Sequence, residues 1–294
     1  MDSSPSKSPE SVNGGQSDQP WRAQHWRQPP GASAAPPSAV DLAHCTKSYG
    51  GVNISYPYGI GWGCFRPGFE VTCNHSTRPP KLFLANTTTE IIQQYPRGDV
   101  DASIVFNIAT RPGAFGSHNR SWEAPRKSLS IWSSTVMIVG CGVEAFLFDT
   151  TSGAGNLIGY CATKCDDMAA LEKAEGGGCS GMGCCNIELD GPVLSFRLSI
   201  IQKEEALPAG LANATTLKAF LQDGMHTFSM LDPLSDKVNE STVGTATTYL
   251  SPVITDQPNC RTARMHEQYA CAAANSCMDY GGNGGYSCAC PQSI

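Results

Sequence analysis

Residues 45–73 read CTKSYGGVNISYPYGIGWGCFRPGFEVTC. Three cysteines, Cys45, Cys64 and Cys73, bracket short apolar and aromatic runs that are interrupted every few residues by glycine or proline. Such a rhythm cannot sustain a helical stripe and reads as short strands and turns held by cross-links. Before it, residues 1–40 hold seven prolines, eight serines and three glycines and no cysteine. That composition buries too little apolar surface to offset the entropy of ordering, so a disordered segment is expected there, with Trp21 and Trp26 as bystanders. No apolar run in it reads as a secretory leader, and no stretch of the chain is long and apolar enough for a membrane span.

Beyond Cys73 the same texture continues. Residues 193–201 alternate Phe196, Leu198 and Ile200 with Ser195, Arg197 and Ser199, the period of a half-buried strand. Residues 103–108, 144–148 and 247–254 are also strand-like, whereas 168–175 and 215–222 have the composition of two-turn helices, the second stopped by Gly224. The expected fold is mainly β, a disulfide-rich extracellular domain with short helices.

The cysteines give the compartment. Fourteen in 294 residues, with six Asn-X-Ser/Thr acceptors at Asn53, Asn74, Asn86, Asn119, Asn213 and Asn239, indicate a secreted disulfide framework and a glycoprotein. No cysteine and histidine tetrad has zinc-finger spacing, so no metal and no cofactor is expected. The cysteines fall into groups at 45–73, 141–185 and 260–290, and the gap before Cys260 places a boundary near 255. Three regions follow: a Pro/Ser-rich segment at 1–40, a cysteine-rich body at 41–255 and a small module at 256–294.

Charged residues are only 16% of the chain, and the net charge is −6. Residues 61–140 run against that balance, with eight Lys/Arg to five Asp/Glu. A basic segment in an acidic protein suits an anionic ligand. Neither a phosphate-cradling glycine loop, nor kinase HRD or DFG, nor GxSxG, nor HExxH occurs, and Asp166 and Asp167 are adjacent rather than poised across a cleft. A non-catalytic protein with no nucleic-acid partner is expected. The Arg97-Gly98-Asp99 triplet after Pro96 reads as a turn, and the acidic pattern around Asp256 and Asp279 is too incomplete for calcium.

The opening stretch resembles the galacturonan-binding domain of plant wall-associated receptor kinases. The elements that carry the resemblance are Gly50, Ile54, Tyr56, Pro57, Tyr58, Gly59, Ile60, Gly63, Cys64, Gly68, Phe69 and Cys73. Gly140-Cys141-Gly142, CATKC at 161–165 and CSGMGCC at 179–185 extend it. One position departs: Tyr49 stands where the family has a second cysteine, which should leave a partner thiol unpaired, with Cys45 the first guess. Residues 260–290 resemble an EGF-like module whose first five cysteines are present and whose sixth is not, so a small incomplete EGF-like module is expected. That resemblance implies bridges Cys260–Cys277 and Cys271–Cys288 and leaves Cys290 without a mate, giving six intramolecular disulfides and two unbridged thiols.

The resemblance implies binding of pectin or oligogalacturonides at the plant cell wall, and an extracellular location. The alternative is a structural or protein-binding decoy that associates with related receptors. Galacturonate carboxylates would be met by Arg66, Arg78, Lys81, Arg97, Arg111, Arg120, Arg126 or Lys127, arginine offering bidentate geometry. Sugar faces would stack on Trp62, with Tyr56, Tyr58, Trp122 and Trp132 as further rings. Tyr56 to Tyr58 read equally as a structural turn, and Trp132, flanked by apolar residues, as core.

Overall fold

The structure, a computed structural model, describes residues 40–111, 114–167, 169, 171, 179, 181–204, 216–223, 246–266, 269–271, 276–281 and 284–288. Most of the described backbone is strand. β1 (Ser48–Tyr49) and β2 (Val52–Asn53) form a hairpin inside the opening stretch. Next come β3 (Val71–Asn74), β4 (Lys81–Leu84), β5 (Glu90–Gln94), β6 (Val100–Ser103), β7 (Val105–Ala109) and β8 (Gly116–Glu123). The long β9 (Leu129–Val139) is followed by β10 (Val143–Asp149), β11 (Asn156–Ala162), β12 (Cys184–Val193) and β13 (Ser195–Gln202). β14 (Thr216–Gln222) and β15 (Thr248–Pro252) complete the body, and β16 (Cys277–Asp279) pairs with β17 (Tyr286–Cys288) near the C-terminus.

Two sheets carry the core. The larger runs β3-β4-β5-β6-β15-β9-β14-β7, with β12 on the other edge of β9. The smaller runs β11-β10-β13-β8. β9 is long enough to accept β12 along one side and β15 then β14 in succession along the other. Period-two alternation turns Val143, Ala145 and Leu147 of β10 and Phe196, Leu198 and Ile200 of β13 toward Val100, Ala102, Leu129, Ile131, Val136 and Ile138 of the larger sheet, all in one buried cluster. Trp122 stacks on Phe196 at 6.1 Å in this interior, and its indole donates to Thr89 Oγ1. The result is a two-layer β structure, mainly β as the sequence indicates.

The second face of β9 and β14 is also covered. Met137, Val139 and Phe220 pack against Cys165, Leu171, Cys184 and Ala246, with bridges Cys141–Cys165 and Cys179–Cys184 in this cluster, whereas Cys161–Cys185 lies against the main core. This double burial explains a correction. Residues 215–222, read above as a helix, are a central strand from Thr216 onward. A strand apolar on both faces loses its alternation and cannot be told from a helix by periodicity. Of the helix expected at 168–175, Ala169 and Leu171 are helical, and the rest lies outside the described residues, as do 1–39. A short helix α1 (Cys260–Ala263) is capped by Asn259, whose side chain accepts from Thr262 N.

Six disulfides occur among the described residues. Cys260–Cys277 and Cys271–Cys288 are bridged, the pairing that the EGF-like resemblance implies. Cys45 is bonded to Cys64, which corrects the expectation that Cys45 is the orphan; among the described residues the unbridged thiol is Cys73. Cys290 lies outside the described residues.

Candidate ligand-binding surface

The opening stretch builds a loop on the edge of the larger sheet. Tyr58 and Phe69 are buried edge-on to one another at 5.2 Å and pin both ends of it. Between them the chain turns outward through Gly61 and Gly63, both at positive φ, and leaves Trp62 68% exposed at the apex. The Cys45–Cys64 bridge clamps the base.

Residues far apart in sequence converge here. Arg66 N donates to Pro57 O, and the Arg66 guanidinium pairs with Asp256 at 3.0 Å. Ser128 Oγ donates to Gly68 O, bringing the 125–127 turn alongside, and Thr255 Oγ1 donates to Arg126 O. Gly98 lies against Pro57 and Pro252, which carries the Arg97 turn to the same region. Arg97 and Arg126 are exposed, whereas Asp256 already offsets the Arg66 charge. Lys127 Nζ donates to Thr151 O. Exposed guanidinia on fixed turns can receive carboxylates in bidentate fashion, and an exposed indole offers a flat face to a sugar ring.

Other candidates stand apart. Lys81 pairs with Glu90 across β4 and β5. Arg78 is exposed on the turn between β3 and β4. Arg111 follows β7, its carbonyl accepting from Gln202, and Arg120 is half-buried on β8 with Nη1 on Asn119 O. Among the aromatic candidates, Trp122 and Tyr58 are core. Trp132, read above as core, is 46% exposed and edge-on to Tyr280. Ile131 is buried in the main core, whereas Trp132 and Ser133 after it are both exposed, so the apolar flank misled the reading. Tyr95 and Tyr249, which no sequence motif singles out, meet with ring centroids 5.9 Å apart.

Around Cys73 three titratable groups gather. The Tyr49 hydroxyl contacts the His75 ring and shares a hydrogen bond with the Cys73 sulfur. Burial pushes the Cys73 thiol up, and the Tyr49 hydrogen bond opposes that shift. His44, Cys45 and Cys64 also lie together, but both sulfurs are bridged and neither is a thiolate that could ligate a metal. Asp256 holds Arg66, and Asp279 Oδ1 accepts from Cys260 N, so both acids have structural partners. Of the six acceptor asparagines, Asn53, Asn86 and Asn119 are exposed and Asn74 is half-buried; Asn213 and Asn239 lie outside the described residues.

Comparison with known proteins supplies a kinship. The chain is 27% identical over 259 residues to Wall-associated receptor kinase 2 of Arabidopsis thaliana, covering 84% of this chain and 32% of that protein. Wall-associated receptor kinase 5 of the same plant is 27% identical over 266 residues, and Wall-associated receptor kinase 1 is 24% identical over 264, each with the same 84% and 32% coverage. The chain thus spans about a third of the length of the curated relatives it matches. No family model matches. A solved structure of an infectious bursal disease virus strain aligns over 58% of this chain and 44% of its own at 12% identity and a TM-score of 0.14, too slight a likeness to bear on the fold.

Proposed function

We propose, from the premise that this chain is a relative of the wall-associated receptor kinases, that it is a non-catalytic receptor-ectodomain module that binds de-esterified pectin at the plant cell wall. The carrying observation is the match over 84% of the chain to those receptors. In this reading residues 41–255 form the sugar-binding body and 256–294 an EGF-like appendage.

The convergence of exposed Arg97 and Arg126 beside the Trp62 loop supports the ligand. Galacturonate repeats a carboxylate at each sugar, so fixed guanidinia can meet successive charges while the indole covers a ring face. Arg66 serves differently: its pairing with Asp256 ties the loop to residues just before α1. Because the cations are exposed, salt screens their attraction over a Debye length of about 8 Å at physiological strength.

Isothermal titration with polygalacturonate tests this at low and high salt. Affinity should fall as salt rises and should fall again in Arg97→Glu combined with Arg126→Glu, with thermal stability unchanged. Affinity indifferent to both, or preference for fully methyl-esterified pectin, refutes the electrostatic reading.

A further inference from the structure

The smaller sheet has an outer face that the basic loop does not use. Val143, Ala145 and Leu147 of β10 and Phe196, Leu198 and Ile200 of β13 enter the core, so the residues between them point to the other side. There Tyr160 of β11 stands in register with Phe146 of β10, Phe146 with Ser199 of β13, and Ser199 with Asn119 of β8. This row is continuous over all four strands. At one end the Tyr160 and Phe146 rings are 4.9 Å apart, and at the other Ser199 Oγ donates to Asn119 Oδ1 at 2.7 Å. In a parallel row Phe148 stands opposite Arg197, whose guanidinium lies 4.8 Å over its ring, and Arg197 stands opposite Ser121. Tyr160 is 51% exposed, and neither it nor Phe146 nor Phe148 joins a buried cluster.

Asn119 and Ser121 are the acceptor and the hydroxyl of one Asn-X-Ser sequon, and both occupy exposed positions on this side of β8. Of the other described acceptors, Asn53 and Asn74 stand opposite Ser48 and Lys81, and Asn86 lies on a turn. Among the described acceptors, Asn119 alone is registered in a row that ends in aromatic rings. Ser199 holds Oδ1 over the face, whereas Nδ2, the atom to which a sugar is joined, has no partner among the described residues. β8 is also an edge of its sheet, the kind of strand that proteins guard against pairing with a second chain.

We propose that Asn119 carries an N-linked glycan whose inner sugars lie across this face, over Phe146 and Tyr160, and cover it. Attachment forms a bond from Asn119 Nδ2 to C1 of a lipid diphosphate-linked oligosaccharide. The C1–O bond to the diphosphate breaks, the lipid diphosphate leaves, and one amide proton is released. Oδ1 is untouched, so the hydrogen bond from Ser199 survives. Phe146 is two strands away from Asn119 and Tyr160 three, at about 4.8 Å per strand, a reach that the first few sugars span. Pyranose C–H faces stack on the rings and exclude water from them, and Arg197 offers donors to sugar hydroxyls. The same sugars shield the β8 edge. The face is thus covered by the chain's own modification, whether or not the chain binds pectin.

The chain secreted from plant cells behind an added leader tests this through a double-mutant cycle. Glycopeptide mass spectrometry should find Asn119 occupied. Ser121→Ala removes the sequon and leaves Asn119 and its bond from Ser199 in place. Phe146→Ala should lower Tm by about 2–4 °C more in the glycosylated chain than in the Ser121→Ala background. Tyr160→Ala, at an exposed ring, repeats the cycle with the same sign should Phe146→Ala fail to fold. Ser55→Ala, which removes the Asn53 sequon instead, should leave the cost of Phe146→Ala unchanged. An unoccupied Asn119, or a ring substitution that costs the same with and without the Asn119 glycan, overturns the proposal. A glycosylated wild type that is a dimer, dispersed by Phe146→Ala, assigns the face to a second copy and overturns it too.

Discussion

Tyr49→Cys should close a seventh bridge, to Cys73. Tyr49 already shares a hydrogen bond with the Cys73 sulfur, and both are packed at the margin of the main core. The hairpin that carries Tyr49 sits on the β3–β4 pair, since a Cβ at Gly50 would strike Pro80 O at 2.1 Å. Counting along the chain, the new loop spans about 25 residues, worth about 3.5 kcal/mol in the chain-entropy picture. The existing Cys45–Cys64 bond shortcuts that path. From 49 back to 45, across the bond and on from 64 to 73, the loop is about 15 residues, and the stabilisation drops to about 3 kcal/mol. Losing the Tyr49 ring, which is edge-on to His75 at 5.4 Å, takes back about 1 kcal/mol. The net of about 2 kcal/mol should raise Tm by about 4–8 °C in a domain of this size.

Calorimetry of the wild type, Tyr49→Cys and Tyr49→Ser separates the bridge from the loss of the ring. Tyr49→Ser should melt below the wild type and Tyr49→Cys above it. Mass spectrometry after alkylation without reduction should find Cys73 modified in the wild type and protected in Tyr49→Cys. If both thiols of the variant are alkylated, and it melts with Tyr49→Ser, then the two backbones stand too far apart and the reasoning fails.

Trp122→Ala should cost about 3–5 kcal/mol, because it empties a fully packed position, unstacks Phe196 and strands Thr89; denaturant titration reads this as a lower midpoint. Gly68→Ala should cost about 1–3 kcal/mol, since the residue sits at φ +99° and a Cβ would lie 2.9 Å from Pro125 O and Ser128 Cβ; an unchanged Tm would show that the 125–128 turn can retreat. Tyr58 and Tyr249 have folded pKa values well above the ordinary phenol value, burial being the first cause in both, with Asp99 adding to it. Their contribution to stability is full below pH ~10, where the unfolded phenols begin to ionise, and is lost as pH rises through the folded values. Phenolate absorbance should therefore lag behind that of free tyrosine and then rise together with unfolding; simple titration without a lag would contradict the burial.

What the sequence revealed follows from how its signals arise. Strands with one face on the core announce themselves by alternation, so β13 was legible from Phe196, Leu198 and Ile200. β14 was not, because Leu217, Ala219 and Leu221 enter one cluster and Phe220 another, which erases the alternation. Disulfides were legible in number but not in partner. Parity told that a thiol upstream of Cys260 would be left over, while only the fold shows that Tyr49 faces Cys73 rather than Cys45.

The same limit governs the sites. A run of basic residues between 61 and 140 can be counted, yet the count does not distinguish Lys81, tied to Glu90, from Arg97 and Arg126, which stand exposed on turns drawn together by Pro57, Pro252 and Thr255. Tyr95 and Tyr249 are harder still to read. They are separated by a long stretch of chain, and neither lies in a motif. They meet, with ring centroids 5.9 Å apart, only because β15 pairs with β6 and β6 with β5. A contact made across three strands is a property of sheet order, which no local pattern in the sequence records.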